Sequence, residues 1–157
     1  MANNTMHARD AINGAQGECF VTIEGNRYNF AQVINLQADM EKVKTEVPIL
    51  GRMAKGNKAA GVQYTGNATF HFNTSIFREL LYRYKETGED IYFDIQTTNE
   101  DKSSTVGRQT IVLIDCNLDG GILALLDADA EYLEDEIEFT FEDWEMPERF
   151  GILDAML

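Results

Sequence analysis

The chain has 157 residues, the length of one domain, and its 13 Lys and Arg against 27 Asp and Glu give 13 − 27 = −14 at neutral pH. A hydrophobic fraction of 44% with 10% aromatic residues is enough for an ordinary core, so the charge does not signal disorder. Residues 1–88 hold ten basic and eight acidic side chains (+2) and residues 89–157 three basic and nineteen acidic (−16); such a surface repels phosphate backbones and excludes a protein that grips nucleic acid.

No basic start runs into a long apolar stretch, and the longest apolar runs, 111–114 and 122–126, are too short to span a bilayer. No export signal or membrane anchor is expected, and synthesis in the cytosol is. Cys19 and Cys116 lack metal-like spacing and read as two reduced, half-buried thiols.

In chain order, Glu18 to Glu24 alternates as a strand, and Glu24-Gly25-Asn26-Arg27 predicts a tight hairpin turn. Ile34, Leu36, Ala38 and Met40 then recur at every second position, with Asn35, Gln37, Asp39 and Glu41 between them. The pattern returns with Val62, Tyr64, Ala68, Phe70 and Phe72 on one parity and Gln63, Thr65, Asn67, Thr69 and His71 on the other, so two long strands are expected to pair. Between them, Thr45 to Gly61 contains Pro48, Gly51, Gly56 and Gly61 with Arg52, Lys55 and Lys58, and reads as a long exposed loop.

Asn73 or Thr74 is placed to cap a helix with the stripe Ile76, Phe77, Leu80, Leu81 and Tyr84, an i,i+4 pair Glu79–Arg83, and Gly88 as its stop. Ile91, Phe93 and Ile95 alternate, and after a polar loop from Asn99 to Gly107 the run Thr110 to Cys116 is strongly β-branched, giving two more strands. Ile122 to Asp135 fits either a helical stripe or the ends of short strands. Glu136 to Phe141 is a late strand with an acidic outer face, closed by Trp144 and Pro147. Six or seven strands with one helix and no βαβ rhythm predict a mainly β domain, an antiparallel β-sandwich or partial barrel with one principal α-helix.

Catalytic and cofactor signatures are hard to find. His7 and His71 stand alone, and no nucleophile elbow, phosphate loop or dinucleotide fingerprint is present. Asp127-Ala128-Asp129-Ala130-Glu131 resembles the start of a calcium loop, but Tyr132 occupies the position that needs the turn glycine. The carboxylates read as a solvated acidic face, and no enzyme, cofactor or metal is expected. A basic, glycine-punctuated segment and an acidic, aromatic-studded second half on one chain suit self-association through unlike patches.

The residues carry a family resemblance. Glu41-Lys42-Val43-Lys44-Thr45-Glu46-Val47-Pro48-Ile49-Leu50-Gly51-Arg52, then Gly56-Asn57-Lys58-Ala59-Ala60-Gly61 and Gly66-Asn67-Ala68-Thr69-Phe70, and the ending Glu136-Ile137-Glu138-Phe139-Thr140-Phe141-Glu142-Asp143-Trp144-Glu145-Met146-Pro147-Glu148, resemble tail tube proteins of contractile phage tails. Prophage-derived, phage-tail-like particles of Gram-positive bacteria are the nearest group. The likeness spans residues 12–148. It implies a non-catalytic subunit of homohexameric rings, with one continuous inner β-barrel, stacked into a tube inside a contractile sheath.

The implied partners are further copies of the chain, the sheath protein, the tape-measure protein and the baseplate hub that initiates the tube, with DNA or ions passing through the lumen without specific binding. The mature location would be a virion or phage-tail-like particle released by lysis. One domain, 1–157, would comprise an N-terminal arm (1–17), an inter-ring loop (45–61) using Glu46, Pro48, Ile49, Leu50, Gly51, Arg52, Lys55 and Lys58, and a tail (149–157). Ile137, Phe139, Phe141 and Trp144 would lie on a subunit-joining strand. Given such a barrel, the alternation makes Asn35, Gln37, Asp39, Gln63, Thr65, Asn67 and Thr69 candidates for the lumen wall. The tube of a contractile secretion system, or an acidic DNA-mimic binding module, are the alternative readings.

Overall fold

The computed structural model describes residues 5–157. Its eight strands are β1 (Gly17–Ile23), β2 (Asn26–Asn29), β3 (Val33–Val47), β4 (Gly56–His71), β5 (Phe93–Glu100), β6 (Arg108–Gly121), β7 (Glu134–Thr140) and β8 (Asp143–Glu148), with one helix, α1 (Ile76–Thr87). All pairings are antiparallel, in the order β2-β1-β5-β6-β7-β4-β3 with β8 added to β6. The sheet is not closed. The expected class is therefore correct, and the strand count exceeds the expected one because Trp144 and Pro147 lie within a strand of their own, β8.

Strand β6 divides the sheet into two leaves. Its first part pairs with β5 and β8, while Asn117 to Gly121 pairs with β7. At the changeover Asp115 adopts φ 54°, and its N–H donates to Asp94 Oδ1 at 3.0 Å. Asp tolerates this left-handed conformation better than most residues, so the strand turns from one leaf to the other without a glycine.

Val21, Ile23, Ile95, Leu113 and Cys116 from one leaf meet Ala68, Phe70, Ile137 and Phe139 from the other in a single core. Helix α1 plugs one end: Phe77 lies 5.5 Å from Phe30, 5.6 Å from Phe70 and 5.5 Å from Phe93, between ring centroids. Beside it the Arg78 Nη1 donates to Asp135 Oδ2 at 2.6 Å, and its guanidinium lies 4.3 Å from the Phe72 ring centre. Both cysteines are buried free thiols, and burial pushes Cys19 up to about 11 and Cys116 to about 12.

Gly88 ends α1 at φ 73°, its N–H on Tyr84 O, as expected. Two local expectations fail. The N-cap is Ser75, which makes no side-chain cap bond, while Thr74 Oγ1 accepts from the Ile76 N–H. Arg83 turns away from Glu79 to pair with Glu24 and, at 3.6 Å, Glu89, because the β1–β2 turn and the residues after α1 bring carboxylates nearer than one helical turn does. That turn is two residues, Glu24 and Gly25, both at positive φ. The segment between Gly121 and Glu134 is neither helix nor strand; Leu123 and Leu126 are exposed, so neither a stripe nor a pleat had a core to face.

Candidate functional site

The four-stranded leaf, β6-β7-β4-β3, has an apolar and a polar face. Leu36, Ala38, Tyr64, Ala68 and Phe70 point toward the core, so their neighbours in sequence point away from it. Register places Asn35 opposite Thr69, Gln37 opposite Asn67, Asp39 opposite Thr65 and Glu41 opposite Gln63. All seven lumen candidates thus share one face. β7 extends it, with Thr140 beside Thr65, Glu138 beside Asn67 and Glu136 beside Thr69. Sequence reading saw an acidic face on β7 but not that it continues this one; β4–β7 register is a long-range fact that no local pattern carries. Between Asn35 and Glu41, Gln63 and Thr69, and Glu136 and Thr140, no Lys or Arg stands on this face. Gln37 Nε2 donates to Asp39 Oδ2 at 3.2 Å along it.

The segment expected as a loop from Thr45 to Gly61 is mostly strand. Thr45 to Val47 pairs with Lys58 to Gly56, and only Pro48 to Lys55 connects β3 to β4. Gly56, Ala59, Ala60 and Gly61 lowered the strand signal, while the ladder with β-branched Val43, Thr45 and Val47 overrides it. β7 covers β4 only from Thr65 onward and Tyr64 still stacks on Phe141, so the eight residues Gly56 to Gln63 form, with β3, a two-stranded ribbon projecting about 27 Å. Its tip, bent by Gly51 at φ 84°, carries the fully exposed Leu50 and Met53. Arg52 and Lys55 lie in the same connection and Lys58 on β4 opposite Thr45; Lys55 Nζ reaches Glu46 at 3.8 Å across exposed surface.

Three of the four residues expected on a joining strand lie in the core of the chain itself. Ile137, Phe139 and Phe141 are buried in the core of their own protomer, and β7 is an interior strand flanked by β4 and β6. Their alternation with acids marks a core strand, and only Trp144, on β8, stays at the surface. The unpaired edges are β2, β8, β3 and the second part of β6.

The arm's first four residues lie outside the described ones. The rest of the arm is fastened to its own protomer: Asp10 Oδ1 accepts from Thr105 N at 2.9 Å and Thr105 Oγ1 at 2.8 Å, and Asp101 Oδ2 accepts from Asn13 N at 3.0 Å. The Thr105 N–H, then its hydroxyl, hold the Asp10 carboxyl below its ordinary range. The tail meets the same loop through Gly151 N–H on Val106 O at 2.7 Å, leaving Ile152, Met156 and Leu157 exposed. Among the described residues no three His, Cys, Asp or Glu side chains converge as a metal site requires, and no helix is long and apolar enough to cross a membrane.

A sheet with one polar face, open edges and a projecting ribbon has known counterparts. The fold is similar to the sheath–tube complex of an extracellular contractile injection system in its extended state (TM-score 0.63, 12% identity, 87% of this chain and 90% of that one). It is also similar to the SPP1 tail tube (TM-score 0.61, 10% identity, 93% and 83%). In sequence the chain is 40% identical over 146 residues to the phage-like element PBSX protein XkdM of Bacillus subtilis strain 168, covering 93% of this chain and 97% of that protein. A family model described as phage tail tube protein matches residues 4–148, and the chain belongs to that family.

Proposed function

We propose that this chain is the repeating subunit of the inner tube of a contractile phage tail or phage-tail-like particle. The observation that carries the reading is the four-stranded leaf: two open edges flank a continuous polar face free of Lys and Arg. Pairing the β3 edge of one copy with Asn117–Gly121 of the next would continue the leaf around a ring. Six copies give 6 × 4 = 24 strands of barrel wall, in which the short β6 edge of each copy is covered by part of the β3 edge of its neighbour.

In that ring the polar face lines the lumen, and α1, on the core side of the leaf, lies outside. Asn35, Gln37, Asp39, Gln63, Thr65, Asn67 and Thr69 then form the wall with Glu136 and Glu138. A bore that offers carboxylates and amides but no cations gives DNA phosphates nothing to displace their counterions, so DNA slides without adhering. The same wall surrounds a tape-measure protein before release and carries ions in a headless particle. The 40% identity to a protein of a phage-like element favours such a particle over a secretion system. The role is mechanical, with sheath and baseplate as neighbours and no catalytic step.

Negative-stain microscopy of the concentrated protein, with and without its baseplate and tape-measure partners, tests this reading. Rings and tubes are expected. Monomers that persist under all these conditions would overturn it. Asp39→Lys should leave assembly intact and slow DNA or tape-measure passage; an unchanged ejection rate would place Asp39 away from the lumen.

A further inference from the structure

We infer that Asn13 is a site of spontaneous chemical modification: its side-chain amide is displaced by the Gly14 backbone nitrogen, and the arm thereby loses its tether on Asp101. Neither step needs the tube or any partner. Of the eleven asparagines only Asn13 precedes a glycine, and it stands exposed in the turn between Asp10 and β1.

Three features of that turn favour the reaction. Asn13 O accepts from the Gln16 N–H at 3.1 Å and Asn13 Oδ1 from the Ala15 N–H at 3.0 Å, so the side chain folds back over the main chain and its Cγ comes close to the Gly14 nitrogen. The same Ala15 N–H points at the oxygen on which negative charge gathers when Cγ is attacked, as an oxyanion-hole donor does. Gly14 has no Cβ to shield its nitrogen, and among the described residues its N–H donates no hydrogen bond. Every other asparagine is followed by a residue with a side chain.

The chemistry consumes only water. Gly14 N gives its proton to solvent base and bonds to Asn13 Cγ, the bond from Cγ to the amide nitrogen breaks, and ammonia leaves with a proton taken from water. The product is a cyclic imide, which water opens at either of its carbonyls. One opening leaves an ordinary aspartate; the other leaves isoaspartate, in which the main chain runs through Cβ and is one bond longer. Each replaces a neutral amide with a carboxylate.

The place of the new charge decides its effect. The Asn13 N–H donates to Oδ2 of the buried Asp101 at 3.0 Å, so a carboxylate on residue 13 sets like charge beside that side chain. In the isoaspartate the two acceptors that hold the turn, Asn13 O and Oδ1, are also displaced. The arm is then left on the bonds of Asp10 with Ser104 and Thr105.

The full chain, stored at mildly alkaline pH and digested at acid pH for mass spectrometry at intervals, tests the site. Aspartate and isoaspartate should appear at residue 13 before any other asparagine reacts, and faster as the storage pH rises. Gly14→Ala should fold normally, because a Cβ there meets nothing within 4 Å and the backbone is not left-handed, and should react about tenfold or more slowly. Another asparagine reacting first, or an undiminished rate in Gly14→Ala, would overturn the site. For the tether, Asn13→Asp should let trypsin cut after the exposed Arg9 about tenfold faster than in the wild type, since cleavage follows the population in which the arm is open. Cleavage at the wild-type rate would overturn the loss of the tether.

Discussion

From Tyr64 to Phe70, β4 sends alternate residues into the core, whereas from Gly56 to Gln63 the same strand packs against nothing but β3. In the first part Gly66 has no side chain because Phe139 crosses the backbone there: a Cβ at Gly66 would sit 2.5 Å from that ring. In the second, Val62 and, opposite, Val43 and Val47 stay exposed. An apolar residue in an alternating strand thus marks burial only where a second layer exists. The body carries the folding free energy. The ribbon, held by its own ladder, offers surface that costs little to fold.

The contrast can be broken first at the body. Removing Arg78 strands Asp135 as an uncompensated buried carboxylate, so Arg78→Ala should destabilise the fold by about 3–5 kcal/mol in chemical denaturation. Arg78→Met with Asp135→Leu should recover most of it; a loss for Arg78→Ala near zero would show that α1 is not anchored by this pair. Gly66→Ala comes next, at about 1–3 kcal/mol, because the fully buried Phe139 must move.

A local effect follows at the arm. The Asp10 pKa is depressed by Thr105, so its stabilisation is complete above its ordinary value of 3.8 and is lost as pH falls through the lowered one. The Thr105 amide chemical shift should stay constant through the neutral and mildly acidic range and change only below that value. Movement at mild acidity would mean the arm is held by something else. Smallest of all, Leu50→Ser and Met53→Ser should change unfolding free energy by less than about 0.5 kcal/mol. A larger cost would show that the tip packs within its own protomer.

Local periodicity made much of this fold legible. The β1 hairpin, the β3–β4 pairing and the Gly88 stop each depend on neighbours in sequence or on a clean two-residue alternation. The ribbon was hidden because Gly56 to Gly61 reads as loop when its partner strand is not considered. The true position of Ile137, Phe139 and Phe141 was hidden for another reason: alternation gives the buried side of a strand but not whether the burying surface belongs to the same chain. The polar face lay between these cases. Its parity was visible residue by residue, yet its continuation onto Glu136 and Glu138 depended on which strand lies beside β4.

The fifteen-residue edge of β3 is longer than anything it is proposed to meet, since Asn117 to Gly121 offers only five residues. A flat, apolar edge of that length would invite copies to pair at random into fibrils. Here the outer stretch carries Glu41, Lys42, Lys44 and Glu46, and beside it Ala60 of β4 stands without a partner, a register shift that twists the ribbon. Charged side chains on an edge and a twist imposed by the strand beside it are gatekeepers against uncontrolled polymerisation. A subunit whose purpose is to polymerise therefore carries brakes along its longest free strand, and growth is left to the ends of a tube already begun.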